Sequence, residues 1–291
     1  MNDRPLVIYH DNCLDGFGAA WCFWHKYGND ADYFASTYKQ DPPRVTGRHV
    51  YLVDFSYKSE VVKRLLLTAA SITIIDHHKT AIDDLAPLFH EWTHRKPDLW
   101  EPECVFDWHC STSHSGAVLA WEYLYPGQQR PLLLDYIEDR DLWKFKLPRS
   151  RAVNAFLFSQ DYRFELWDEL MKCGPEELDH MAEFGGVLER KQKKDVATLL
   201  SICQRELEIA GYVVPVANVP IMFSSDAGEL MAQGKPFAAC YTDTANSRDF
   251  NLRSSTEDGL DVSEIAKAFG GGGHPKASGF SVPRDHPLAK S

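Results

Sequence analysis

Ser71-Ile72-Thr73-Ile74-Ile75-Asp76-His77-His78 joins an apolar, β-branched run to an acid and two imidazoles. The run predicts a short buried strand. The Asp-His-His tripeptide then falls where a central strand ends, which is where open α/β sheets place their binding crevice. A strand tip holds neighbouring side chains at fixed spacing, and neutral imidazole with carboxylate suits a hard or borderline divalent ion such as Mn²⁺. Neighbouring histidines also occur as plain surface residues, so the tripeptide gains its weight from its company.

That company begins upstream. Leu6-Val7-Ile8-Tyr9 predicts a strand running into His10-Asp11-Asn12-Cys13-Leu14-Asp15-Gly16, and Phe17 to Trp24 supplies small and apolar residues for a helix buried against a sheet. His49 to Asp54 predicts a second strand closing on an aspartate, and Lys58 to Ala70 an amphipathic helix. Strand alternates with helix, which predicts a parallel, doubly wound sheet. One strand-end aspartate is explained by turn chemistry, whereas three successive strands ending in ligand-type residues point to a site.

Downstream, residues 81 to about 110 read as irregular. Ser113-His114-Ser115-Gly116 opens a helix through Tyr125, with His114 read as a capping or packed residue. Pro131 to Ile137 is apolar and ends in Glu138-Asp139-Arg140-Asp141, the best placed source of a last carboxylate. Residues 150 to 210 read as mostly helical and charged, interrupted at Gly185-Gly186, and form a bridge to a smaller domain. Strands are predicted there at Gly211 to Val219, Pro236 to Thr242 and Asp249 to Arg253. A helix from Val262 to Phe269 then meets Gly270-Gly271-Gly272-Gly273-His274-Pro275, whose glycines allow backbone N–H groups to approach an anion closely.

With these residues in place, the chain resembles the DHH phosphoesterase superfamily carrying the DHH-associated C-terminal domain, which includes the RecJ exonucleases, nanoRNA nucleases and cyclic dinucleotide phosphodiesterases. The likeness runs over nearly the whole chain, through the His/Asp loop after the first strand, Asp54, Asp76-His77-His78, the Asp139 region and Gly270 to Gly279. It implies an α/β chain of two domains, with a catalytic domain at 1–150, a helical linker at 151–210 and a substrate-binding domain at 211–291. The active site would lie in the cleft.

The resemblance also implies roles. Asp54 would bridge two divalent ions, Asp15, His77 and Asp139 would complete one site, and His10 would belong to the other. His78 would touch the scissile phosphate, with Asp76 orienting the imidazole. Arg253 and Gly271, Gly272, Gly273 and His274 match substrate-holding positions. One departure stands out, because the family loop has two aspartates separated by one residue and here Cys13 takes the first place beside Asp15. A thiolate there would favour Fe²⁺ or Zn²⁺ over Mn²⁺. Alternatively Asp11 or Asn12 fills the place.

The implied activity is two-metal hydrolysis of short oligoribonucleotides or dinucleotides. The alternatives are a 3′-phosphoadenosine 5′-phosphate phosphatase, a cyclic dinucleotide phosphodiesterase, and, from another class, a nucleotide sensor with a decayed metal site. A formal charge of −11 argues against coating long or duplex nucleic acid. Seven scattered cysteines without a CxxC pair point to reduced thiols and a cytoplasmic setting. No apolar run approaches the roughly 20 residues of a membrane span. A monomer or homodimer is expected.

Overall fold

The computed structural model describes residues 4–38, 40–94, 104–255 and 259–290. The chain divides into two compact units, Met1–Glu189 and Arg190–Ser291.

The first unit runs β1 (Leu6–His10), α1 (Leu14–Tyr27), β2 (Asp32–Ser36), β3 (His49–Val53), α2 (Ser59–Leu66), β4 (Ser71–Asp76), α3 (Lys79–His94), β5 (Val105–Cys110), α4 (Gly116–Leu124), α5 (Leu132–Asp141), α6 (Ser150–Phe158) and α7 (Phe164–Leu170), and enters α8 (Pro175–Cys203). Its strands form one all-parallel sheet in the order β2-β1-β3-β4-β5. Both faces are covered, so the strands carry apolar residues on both sides. Val7, Val53 and Ile75 pack against α1, α4 and α5, while Ile8, Leu52, Ile72 and Ile74 pack against α2 and α3. The chain first steps from β1 outward to β2 and then crosses back to β3. That reversal opens a crevice at the carboxyl ends of β1 and β3.

The stretch expected to be irregular holds two elements, α3 and β5, while residues 95–103 lie outside the described residues. Pro87 inside α3, and in β5 the single buried position, Phe106, among exposed and half-buried ones, hide both from a periodicity reading. The edge strand β2, half-buried along most of its length, is equally hidden.

Gly185-Gly186 does not interrupt α8, which is continuous over 29 residues. A Cβ at Gly185 would stand 1.8 Å from the Ala152 carbonyl oxygen. The glycine therefore lets α8 and α6 touch backbone to backbone. Ala152, Val153, Leu157, Trp167, Leu178 and Ala182 join the core of the first unit. Residues 151–189 are thus part of that unit, and the boundary between the units lies inside α8 rather than at 150 and 210.

The second unit continues with β6 (Gln204–Ile209), β7 (Tyr212–Asn218), α9 (Ser224–Met231), β8 (Ala238–Asp243), β9 (Ser247–Arg253), α10 (Val262–Ala268), β10 (Gly272–His274), β11 (Ala277–Pro283) and α11 (Pro287–Lys290). Its sheet is mixed, in the order β10-β11-β9-β8-β7-β6, with β7 and β8 parallel and the other neighbours antiparallel. Ala210 and Gly211 both take positive φ, the turn that a two-residue hairpin between β6 and β7 needs. Among the described residues no helix is long and apolar enough to cross a membrane.

Candidate metal centre

Every element that feeds the crevice at β1 and β3 delivers a ligand-type side chain. His10 is the last residue of β1, and Cys13 caps α1 with Asp15 in its first turn. Asp54 follows β3, still tied to the sheet by its N–H to the Ile75 carbonyl at 2.9 Å, but turned to φ 49°. An aspartate in the left-handed region is uncommon, and such strain persists where the surroundings impose it. Here they do. A Cβ on Gly116 would stand 2.4 Å from the Asp54 Cβ, and one on Gly16 would stand 2.2 Å from the His10 carbonyl oxygen. The starts of α1 and α4 press against the strand ends only because both positions are glycine.

The side chains meet in neighbouring triads whose ligand atoms lie within 4.8 Å of one another: His10–Cys13–Asp54 and Asp54–Asp76–His78, which share Asp54, and Asp15–His77–Asp141. Asp54 stands at their junction. Its Oδ1 lies 3.0 Å from His77 Nε2 and its Oδ2 lies 3.7 Å from His10 Nδ1. Both oxygens are buried, yet neither meets hydrogen-bond geometry, and Asp141 Oδ2 and Asp76 Oδ2 share that condition. Asp15 is held more firmly, accepting from the Gly116 N–H at 2.6 Å and the Ala117 N–H at 3.0 Å. Asp76 Oδ1 accepts from the His77 and His78 N–H groups at 2.7 and 3.2 Å and contacts His78 Nδ1 at 2.8 Å. A carboxylate oxygen only accepts, so His78 carries its Nδ1 proton toward Asp76.

Burial and crowding set the protonation of this cluster. Burial opposes the Asp54 carboxylate, but contacts with His10 and His77 outweigh it and hold the group well below the usual carboxylate range. Burial and then the neighbouring Asp54 and Asp141 charges push Asp15 well up, and burial with Asp54 raises Asp141. His77 is raised well above the ordinary imidazole range despite burial, by Asp141, Asp54 and Asp15. His10 is raised likewise, against burial, by Asp54 and Cys13. Burial raises the Cys13 thiol. Crowded buried carboxylates beside imidazoles raised in pKa form a charge arrangement that a divalent cation would complete by displacing protons. Carboxylate, imidazole and one thiol facing inward, with orphaned buried oxygens, fit such ions.

The structure corrects one expected ligand. Asp139 points out of the cluster, and its two oxygens accept from the Lys146 and Leu147 N–H groups at 2.8 and 3.2 Å. Two residues on, Asp141 Oδ2 lies 3.4 Å from His77 Nε2 and takes the place expected of Asp139. In the first loop Asp11 bonds the Asn12 backbone and side-chain nitrogens, while Cys13 faces His10 and Asp54. Sequence reasoning misses Gly116 as part of the centre. Its one signal is a glycine directly after the helix-capping Ser115.

In the second unit, Arg253 closes β9, with Nη2 donating to Ser225 Oγ at 2.8 Å. Gly270 takes φ 77° where α10 ends, and Gly271 to His274 run into an edge hairpin rather than an open loop. A Cβ on Gly271 would stand 2.1 Å from the Gly279 carbonyl oxygen, so close strand packing requires this glycine. Arg253 pairs across the sheet with Ala277, and Ala277 with His274. The Arg253 and His274 side chains therefore share one row and one face, two strands apart.

No family model matches the chain. Over 306 residues it is 29% identical to the uncharacterized protein R106 of Acanthamoeba polyphaga mimivirus, covering 95% of this chain and 67% of that protein. Among solved structures it is similar to the pGpG-specific phosphodiesterase PggH from Vibrio cholerae, with a TM-score of 0.49, 13% identity and coverage of 97% and 94% of the two chains. It is also similar to CDC45 from Entamoeba histolytica, with a TM-score of 0.43, 8% identity and coverage of 98% and 93%. Both scores are low, and the centre is assigned on its own residues.

Proposed function

We propose that the chain is a metal-dependent phosphodiesterase of the DHH type, acting on short nucleotide substrates. One observation carries this reading: the two buried oxygens of Asp54 face different triads, one toward His77 and one toward His10. A carboxylate so placed is built to bridge two cations. Two divalent ions bound there would supply an activated water and neutralise charge building on the phosphoryl oxygens. His10, Cys13 and Asp54 would hold one ion, and Asp15, His77, Asp141 and Asp54 the other. Mn²⁺ suits the second set, whereas the Cys13 thiolate turns the first toward Fe²⁺ or Zn²⁺.

The remaining roles follow from hydrogen bonding. His78, whose Nδ1 contacts Asp76 Oδ1 at 2.8 Å, would meet the substrate through Nε2. In the cationic form Nε2 donates to a phosphoryl oxygen, and in the neutral form it takes up a proton. Arg253 and His274 would anchor a nucleotide away from the reacting phosphate, Arg253 through a charge-assisted contact. Short oligoribonucleotides and dinucleotides are the preferred substrates, with 3′-phosphoadenosine 5′-phosphate and cyclic dinucleotides as the nearest alternatives.

The test is calorimetric titration of chelator-treated protein with Mn²⁺, Zn²⁺ and Fe²⁺, followed by assay on these nucleotides and on bis(p-nitrophenyl) phosphate. Two bound ions and metal-dependent turnover are expected. Turnover unaffected by chelation would overturn the reading, and two bound ions without turnover of any substrate would replace it with a nucleotide sensor.

A further inference from the structure

β2 ends beside the metal centre, on its His10 side. Its last residue, Ser36, is the register partner of His10 in β1, and the Ser36 carbonyl accepts from the Asp11 N–H at 2.9 Å. The Ser36 hydroxyl lies 3.0 Å from that of Tyr57, so the strand end is pinned by side chain as well as backbone. The chain then turns, with the Gln40 N–H donating to the Thr37 carbonyl at 3.0 Å, and Tyr38 stands on that turn. Four aromatic residues are exposed among the described residues: Tyr38, Phe158, Phe184 and Tyr212. Of these, Tyr38 alone has ring contacts with the centre.

The Tyr38 ring rests on three others. Its centroid lies 5.4 Å from that of His10, 6.2 Å from that of His78 and 5.1 Å from that of Phe55. Phe55 is fully buried and braced edge to face by Tyr57 at 4.8 Å, which gives Tyr38 a fixed floor. The three interplanar angles are 59°, 79° and 39°, so none of these rings lies flat against Tyr38. The residue remains 55% exposed. Burial, and then the Asp76 and Asp54 charges, push the phenol well above its ordinary range, so the hydroxyl end dips toward the carboxylates and keeps its proton. An uncharged aromatic surface without a flat partner thus stands at the edge of the metal centre.

An exposed ring gains little from the fold, because its apolar area stays in water. It offers a nucleobase a stacking partner, and every base has a π-face to lay on it. Being neutral, it has little for a phosphate, which the cations of the centre would take. One ribose separates a base from its phosphate, and one ring width separates Tyr38 from His10 and His78. Building on the phosphodiesterase reading, we propose that Tyr38 stacks the base of a nucleotide flanking the scissile phosphate. The ring thereby selects nucleotide diesters over phosphodiesters that carry no base.

Steady-state kinetics with Mn²⁺ on the dinucleotide pApA, and on the same diester with both bases replaced by hydrogen, tests the stack apart from the chemistry. In Tyr38→Leu the ratio of kcat/KM for pApA to that for the baseless diester is expected to fall at least about fivefold, through KM. Metal stoichiometry by calorimetric titration should match the wild type, a readout that a merely structural role for Tyr38 would move. Tyr38→Phe and Tyr38→Trp keep a ring and are expected to restore the ratio. A wild-type ratio in Tyr38→Leu would overturn the stack. So would a Tyr38→Phe protein as impaired as Tyr38→Leu, which would place the contact on the hydroxyl, or an equal loss on both diesters, which would leave Tyr38 as a support for His10. Failure of the phosphodiesterase reading would appear separately, as no metal-dependent turnover of either diester by the wild type. The stack is then read from calorimetric titration with pApA, where Tyr38→Leu should bind at least about fivefold more weakly than Tyr38→Phe, and equal affinities would overturn it.

Discussion

Asp139 and Asp141 are two residues apart on one helix, and the structure gives them opposite work. Asp141→Asn removes an inward carboxylate whose main compensation is His77, so it is expected to lower metal affinity by more than about tenfold while leaving the apo protein as stable or more so. Asp139→Asn leaves two backbone N–H groups of the 144–147 turn with a poorer acceptor, and should cost about 1–3 kcal/mol of stability with metal stoichiometry intact. Calorimetric titration and thermal melting of the two variants separate these outcomes, and the reverse pattern would restore Asp139 as the ligand. Cys13 poses the second question at this scale. Cys13→Asp is expected to move metal preference toward Mn²⁺ with the fold retained. Elemental analysis showing the same stoichiometry and preference as the wild type would mean that Cys13 only packs.

At the scale of elements, the site depends on two helices meeting strand ends at van der Waals distance. In Gly116→Ala the new methyl would overlap Asp54. Overpacking of this kind costs about 1–3 kcal/mol. The variant is expected to melt lower and to bind metal more weakly than the wild type, and normal melting and titration would show that α4 can retreat freely. What the sequence reveals of these elements follows the same physics. β1, β3 and β4 are buried on both faces, so their apolar runs announce them, and the acids and imidazoles at their tips announce the centre. Edge strands β2 and β5 bury less and leave a weaker trace, while Pro87 disguises α3. Gly185-Gly186 misleads because a glycine used for helix packing and a glycine that ends a helix look alike along the chain. Asp139 and Asp141 cannot be told apart in sequence, since only the loop folding back over α5 decides which carboxylate it captures.

For the whole molecule, a charge of −11 sets the background against which any polyanion binds. Tyr38 offers a stack to one base only. Each further nucleotide should meet repulsion without new contacts. kcat/KM measured on an RNA length series is therefore expected to peak within the first few nucleotides and then fall. Arg253→Ala should raise KM on the shortest substrates with metal content unchanged. Efficiency that keeps rising on long single strands would favour a processive exonuclease instead.

The left-handed backbone at Asp54 bears on how this protein spends its stability. That conformation costs on the order of 1 kcal/mol for a residue with a side chain and nothing for glycine. Against that cost, His10 and His77 hold the buried Asp54 carboxylate ionised, well below the usual carboxylate range. The fold thus carries backbone strain at the one position its chemistry cannot yield. Asp54→Gly gives up that backbone cost together with the charge compensation of His10 and His77, so it should melt within about 2–4 °C of the metal-free wild type. It should also lose the rise in melting temperature that Mn²⁺ gives the wild type. An Asp54→Gly protein that melts further below the apo wild type would show that the aspartate's charge contacts outweigh its backbone strain.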